Sequence, residues 1–127
     1  DPIVLVGGPE DEPQGAVIAN THSHVLNSCG LLTIQQSAYV LQHSERVITH
    51  DTGMMHIAAA FKKKIVSIWG NTVPEFGMYP YLANDQYQIL EVKNLSCRPC
   101  SKIGYKKCPK GHFKCMNEMD LSLLSSK

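Results

Sequence analysis

Four kinds of side chain that do chemistry meet in the stretch VITHDTGMMHIAAAF, residues 47–61. A β-branched run stops at Asp51-Thr52-Gly53, and a helix-like run with His56 in its first turn follows. In an open parallel sheet, ligands bind beyond the carboxyl ends of the strands, which is where this tripeptide falls. The helix after it begins with free backbone N–H groups and the positive end of a helix dipole, so the corner suits an anion and most naturally a phosphate. Gly53 lets the backbone come close to an oxygen, Thr52 adds a hydroxyl donor, and His56 can donate to the same anion. Asp51 repels a phosphate and is better suited to accept hydrogen bonds from sugar hydroxyls. The bland alternative is an ordinary helix cap at Asp51 or Thr52 beside a packing or surface histidine. The triplet D-T-G alone does not separate the two.

The second reactive group is Cys97-x2-Cys100-x7-Cys108-x6-Cys115. Four thiolates can close a tetrahedral structural zinc site, and His112 is a substitute ligand. The first pair has good ligand spacing and the second forms no C-x2-C knuckle. Reduced or redox-prone cysteines are the other reading, so no metal is assigned. Surrounding lysines are expected to lower the thiol pKa values. Cys29 stands apart and reads as a small core residue at a strand end.

The elements that must position these groups alternate. IVLVG (3–7) is a continuous apolar run, as expected of a strand buried on both faces, and ends in the turn Gly7-Gly8-Pro9. Residues 11–20 read as a helix weakened by Pro13 and Gly15, and residues 24–29 as a short strand. Thr33 looks like the N-cap of a helix with Ile34, Ala38 and Leu41 on one face. RVITH (46–50), KIVSIWG (64–70) and YQILEV (87–92) read as strands, with an alanine-rich helix over 54–61. Lys62-Lys63-Lys64 reads as an exposed turn, Trp69 as core packing ahead of base stacking, and 71–86 as a long, functional-looking loop. DLSLLSS closes the chain as a short helix capped by Asp120. Strands alternating with helices imply an α/β, Rossmann-like parallel sheet with helices on both faces.

The chain has 127 residues, 43% apolar and 18% charged, with a net charge of +1, the profile of one globular domain rather than a polyanion binder. Charge is uneven. Seven of the twelve Lys/Arg lie between Lys93 and Lys114, a stretch without Asp or Glu. It is either a solvated basic face or a patch for an anionic partner or membrane surface. No run is long and apolar enough to span a bilayer. The opening Asp1-Pro2, with neither signal peptide nor initiator methionine, suggests a domain cut from a longer cytoplasmic protein, where stable disulfides are not expected.

The long pattern VITHDTGMMHIAAAFKKKIVSIWGNTVPEFGMYPY, preceded by GGPEDE, resembles the carboxyl-terminal half of the heptosyltransferase family, glycosyltransferase family 9. The family's D-T-G-x-x-H stands as Asp51, Thr52, Gly53 and His56. Its G-x-T-x-P element stands as Gly70 to Pro74, with Asn71 where the family often has proline. Its GGPED-like turn is Gly7 to Asp11, and its cysteine-rich tail runs from Cys97 to Cys115-Met116. The resemblance implies the donor-nucleotide half of a two-domain GT-B glycosyltransferase, with residues 1–127 as a single donor-binding domain. It implies an ADP-heptose or other nucleotide-diphosphate sugar as donor, transfer with inversion, and a lipopolysaccharide-core or other glycan acceptor. Thr52 and Gly53 would hold the pyrophosphate, His56 would support it and Asp51 would contact the sugar. Glu12, or Glu10 if the turn is offset, would contact the ribose, and Leu32 and Thr33 would line the base. The general base is expected on an amino-terminal partner domain. No metal, cofactor or nucleic acid is expected, and peripheral contact with the inner membrane face suits the basic stretch. Another GT-B enzyme such as a nucleotide-sugar epimerase is a nearer alternative. A non-catalytic, metal-stabilised module binding an anionic partner is a more distant one.

Overall fold

The computed structural model describes residues 1–76, 79–81, 85–101 and 103–124, apart from the side chains of Phe76 and Leu123. The chain resolves into two compact units, Asp1–Val40 and Leu41–Lys127.

In the first unit, β1 (Ile3–Leu5) pairs in parallel with β2 (Val25–Asn27), joined by a 3-10 turn at Pro9–Asp11 and by α1 (Glu12–Thr21). The Gly8 N–H donates to Asp11 Oδ2 at 3.0 Å, so this acid caps the turn. Gly15, which weakens α1 by propensity, is what lets α1 lie on β2. A Cβ there would stand 2.3 Å from Asn27 Oδ1, and the Asn27 amide donates to Glu12 O at 3.2 Å. Thr33 caps α2 (Ile34–Gln42) as expected. Its Oγ1 accepts the Gln36 N–H at 3.1 Å, and the Gln36 side chain accepts the Thr33 N–H at 2.9 Å, a reciprocal capping box. The expectation that β1 is buried on both faces is corrected. Ile3 and Val4 are 48% and 40% exposed and Leu26 on β2 is 64% exposed. Among the described residues β1 pairs with β2 alone, and part of its surface is uncovered.

The second unit holds a three-stranded parallel sheet, ordered β3 (Arg46–His50), β4 (Lys64–Trp69), β5 (Tyr87–Glu91). β4 is central, so Ile65, Val66, Ser67 and Trp69 are all buried, as a parallel strand with neighbours on both sides requires. α3 (Gly53–Ala60) connects β3 to β4, and Ala58 and Ala59 are buried, the small side chains letting the helix lie close. Leu41, Val47, Met55, Ile65 and Trp69 complete the core cluster. Each such side chain contributes about 1.5–3 kcal/mol of burial. Trp69 is 1% exposed, which settles it as a core residue and leaves no face for stacking on a base. Its Nε1–H and the Ser101 hydroxyl are buried without a partner among the described residues.

Lys62 turns left-handed (φ 55°), and its N–H bonds Ala59 O as the helix closes. The 71–86 loop contains a 3-10 turn at Pro74–Phe76, and residues 77, 78 and 82–84 of it lie outside the described residues. The cysteine-rich segment ends in a one-turn helix that the sequence pattern did not signal, α4 (Lys114–Asn117), entered through Phe113 at φ 48°. Asp120 Oδ1 accepts the Ser122 N–H at 2.9 Å and starts a 3-10 turn, Ser122–Leu124. No helix among the described residues is long and apolar enough to cross a membrane.

Candidate functional site

β3 ends at His50 and α3 starts at Gly53, so two residues make the whole corner. Thr52 occupies the N-cap position in an extended conformation (φ −140°, ψ 167°), yet its hydroxyl makes no capping bond. It shares a hydrogen bond with the Thr49 hydroxyl at 3.2 Å instead. Thr52 O accepts the Met55 N–H at 3.1 Å, and the N–H groups of Gly53 and Met54 meet no acceptor among the described residues. Those are the donors an anion would take.

Gly53 adds a second observation. Its φ lies outside the left-handed region, and a Cβ built on it would meet nothing within 4 Å. Neither backbone conformation nor packing demands glycine here. What its missing side chain leaves open is access to the helix terminus from outside the protein.

Asp51 is half-buried, and burial pushes its carboxyl above the ordinary carboxylate range while the charge on His56 pulls it back. The two side chains therefore feel each other across the first turn of α3. Asp51, Thr52, Gly53 and His56 are brought to one corner. Glu12, Leu32 and Thr33 belong to the first unit. Glu12 opens α1 with an exposed carboxylate, Leu32 is half-buried, and Thr33 caps α2. Glu10 lies in the preceding 3-10 turn.

Beyond the ends of β3 and β4 lies a cavity of about 250 Å³. His50 and Asp51 line one side, Asn71 and Thr72 the floor after β4, and Tyr105, Lys106 and Phe113 come from the cysteine-rich segment. Complete small-molecule pockets run to roughly 300–1,000 Å³, so this one takes part of a ligand. A larger space of about 420 Å³ lies beside Glu91 and Arg98. Its central charges are already bound to one another. Of the four corner residues Asp51 lines the smaller cavity, and Thr52, Gly53 and His56 stand outside its lining.

Those charges form the scaffold. The Arg98 guanidinium, with its side chain 5% exposed, donates from Nε to Gly70 O at 2.6 Å and from Nη2 to Thr72 O at 2.9 Å. It also bonds Val92 O and pairs with Glu91 Oε2 at 3.1 Å. The Asn71 amide donates to Tyr105 O at 2.6 Å, and Asn71 O accepts the Cys100 N–H at 3.0 Å. Asn71 is thus the tie between the strand-end loop and the cysteine-rich segment.

All five cysteines are free thiols, and Cys29 is buried as expected. Among the described residues no group of three or more His, Cys, Asp or Glu is placed to hold a metal ion. The expectation that lysines lower the thiol pKa values needs correction. Burial, then neighbouring thiols, push Cys100 and Cys115 up. Cys108 is pulled down, chiefly by the Phe113 backbone N–H at 3.4 Å and then by the amides of Lys110, His112 and Gly111. Fixed amide dipoles act at contact distance, whereas the exposed ammonium groups are screened by water.

Tyr105 and Lys106 were not foreseen as lining this cavity, nor Arg98 as the side chain that holds the loop after β4. In the sequence the two cations are indistinguishable from the five others between Lys93 and Lys114.

The sequence model of glycosyltransferase family 9 (heptosyltransferase) matches residues 2–110. The lipooligosaccharide heptosyltransferase 2 of Campylobacter jejuni serotype O:2 is 30% identical over 103 residues, 81% of this chain and 30% of the relative. The lipopolysaccharide heptosyltransferase 2 of Escherichia coli K12 is 29% identical over 79 residues, 58% of this chain and 23% of the relative. The solved structure of E. coli ADP-heptose lps heptosyltransferase II superposes with a TM-score of 0.67 at 21% identity, over 92% of this chain and 35% of that one. The chain therefore spans about a third or less of the length of the proteins it matches, and its fold is the α/β, Rossmann-like parallel architecture of a GT-B half.

Proposed function

The chain belongs to glycosyltransferase family 9, the heptosyltransferases, and from that premise we propose that it is the donor-binding part of a glycosyltransferase that moves a heptose or related sugar from a nucleotide-diphosphate donor, ADP-heptose first among them, to a lipopolysaccharide-type acceptor. The carrying observation is the uncapped amino terminus of α3, left open by Thr52 and unobstructed at Gly53.

In this reading the diphosphate lies on the Gly53 and Met54 N–H groups, with the Thr52 hydroxyl and His56 as further donors. Asp51 accepts from the hydroxyls of the sugar. Its partly desolvated carboxylate gains from such donors and would lose from a phosphate in the same place. Glu12 takes the ribose hydroxyls, and Leu32 with Thr33 lines the base. Transfer with inversion requires a general base for the acceptor hydroxyl and a stabiliser for the leaving diphosphate. The α3 corner supplies the second. The first comes from an amino-terminal partner domain. Helix dipole and side chains carry the charge of the leaving group, so the reading requires neither metal nor cofactor. It places the enzyme in the cytoplasm, at the inner face of the membrane where its lipid-linked acceptor lies.

Calorimetric titration with ADP, UDP and GDP tests this. ADP binding that is lost in a Thr52→Ala/His56→Ala variant is the expected result. A preference for UDP or GDP changes the donor and keeps the site. Binding that survives the double substitution removes the corner from the site.

A further inference from the structure

The 250 Å³ cavity has two charged side chains in its lining that stand on different elements, Asp51 after β3 and Lys106 in the cysteine-rich segment. They do not form an ion pair with each other. Arg98 pairs with Glu91, and the Lys106 ammonium has no partner among the described residues. A hydroxyl acceptor and a cation therefore face one space with room for a ligand between them.

Lys106 is exposed, but its backbone is not free to wander. The carbonyl of the preceding residue, Tyr105, accepts the Asn71 amide at 2.6 Å. Gly104 turns in the left-handed region (φ 79°), where a Cβ would stand 2.4 Å from Asn71 Oδ1, so the turn fits tightly on that side chain. Arg98 then pins the same loop through Gly70 O and Thr72 O. Lys107 is also exposed and has no place in the cavity lining.

We propose that the cysteine-rich segment is the second wall of the donor site, and that Lys106 is its side-chain cation for the diphosphate of the donor. The inference rests on the donor-site reading above and adds to it a residue outside the α3 corner. The chemistry matches the ligand class. A nucleotide-diphosphate sugar joins a neutral, hydroxyl-rich ring directly to a dianionic diphosphate. The cavity offers Asp51 to the ring and Lys106 to the phosphoryl oxygens nearest it. A flexible ammonium suits that task, because charge separates on those oxygens as the glycosidic bond breaks. The segment's lack of any Asp or Glu from Lys93 to Lys114 keeps the wall positive throughout.

The test compares AMP with ADP by calorimetry at low ionic strength on the 127-residue chain. Lys106→Ala should weaken ADP about tenfold, the scale of one charge-assisted contact, and leave AMP within about twofold. Lys106→Arg should keep most of the ADP affinity, and Lys107→Ala should behave as wild type. Thermal midpoints should not move, since the side chain is exposed. Equal ADP affinity in Lys106→Ala and wild type overturns the proposal, as does an equal loss of AMP and ADP. If Thr52→Ala/His56→Ala loses ADP while Lys106→Ala does not, the donor-site reading stands and the Lys106 assignment falls. If wild type binds neither nucleotide, both fall.

Discussion

Two adjacent parallel strands end side by side in this protein, and they end in opposite ways. After β3, the Gly53 and Met54 N–H groups lack acceptors, the Thr52 hydroxyl does not cap, and the space over Gly53 is open. After β4, nearly everything is taken. Gly70 O and Thr72 O accept from Arg98, Asn71 O accepts from Cys100, and the Asn71 amide is bound to Tyr105 O. Buried polar backbone is almost always satisfied in a folded chain, whereas an exposed helix terminus stays open to solvent or ligand. In the proposed reading the open end is where the diphosphate of the donor lies. The closed end is what holds the cysteine-rich segment against the open one.

The largest test of that contrast is Arg98→Ala. Removing the guanidinium leaves the Glu91 carboxylate, whose side chain is 9% exposed, without its counter-charge, and three carbonyls without a donor. Breaking one side of a buried pair costs about 3–5 kcal/mol. Urea unfolding should show a loss of that size. Glu91→Gln in the same background should recover part of it, since the buried charge is then gone. Arg98→Lys should rescue poorly, because one ammonium cannot span three carbonyls and a carboxylate as a planar fork does. A loss under about 1 kcal/mol would mean that the β4 end is not a clamp.

A pair of glycines sharpens the same contrast on a smaller scale. Gly104→Ala forces a side chain into a left-handed residue and toward Asn71, so it should destabilise by about 1–3 kcal/mol. Gly53→Ala should do the reverse to the fold. The position opens α3, has ordinary φ and has nothing near its Cβ, so stability should stay level or rise by up to about 1 kcal/mol. ADP affinity should fall at least about tenfold, because the added methyl stands where the phosphate approaches. Thermal melts and titrations on the two variants decide this. If Gly53→Ala binds as wild type does, the helix terminus is not the phosphate site.

What the sequence made legible follows from this division. The corner was readable because its parts are contiguous. A strand ending at His50, a polar tripeptide and a helical run identify it without any knowledge of the rest. The Thr33 cap and the buried Trp69 were readable for the same reason, each being set by its immediate neighbours. The second wall was not. Lys106 reaches the cavity through a bond between Asn71 and Tyr105, residues 34 apart, and the Arg98 contacts with Gly70 and Thr72 are 28 and 26 apart. No periodicity or local spacing encodes such a contact. β1 was misjudged because an apolar run records how much a strand can bury, while its two-stranded sheet sets how much it does bury.

The smallest expected effect concerns the thiols, which repeat the open-and-closed contrast within the cysteine-rich segment itself. Cys115 is buried, and both it and Cys100 are pushed toward the neutral thiol, first by burial and then by neighbouring thiols, Cys97 and Cys108 for Cys100 and Cys100 foremost for Cys115. Cys108 is half-buried and sits in a cradle of backbone amides that favours its thiolate. A lowered pKa means a larger thiolate fraction at any pH below the ordinary thiol value, and the thiolate is the species that alkylates. Iodoacetamide at pH 7 should therefore label Cys108 several-fold faster than Cys100 or Cys115, as read by peptide mass spectrometry over a time course. Raising the pH toward 9 should narrow the gap, since Cys108 is then already ionised while the others are still gaining charge. A Phe113→Pro variant removes the foremost of the N–H donors and, with φ held near about −65°, cannot keep the left-handed turn at this position, so it should open the cradle and slow Cys108 toward the others. Its melting profile would separate that loss from unfolding of the segment. If Cys108 labels no faster than Cys100 at pH 7, the amide cradle does not hold a thiolate, and the ordering of the segment around Phe113 is weaker than its hydrogen bonds imply.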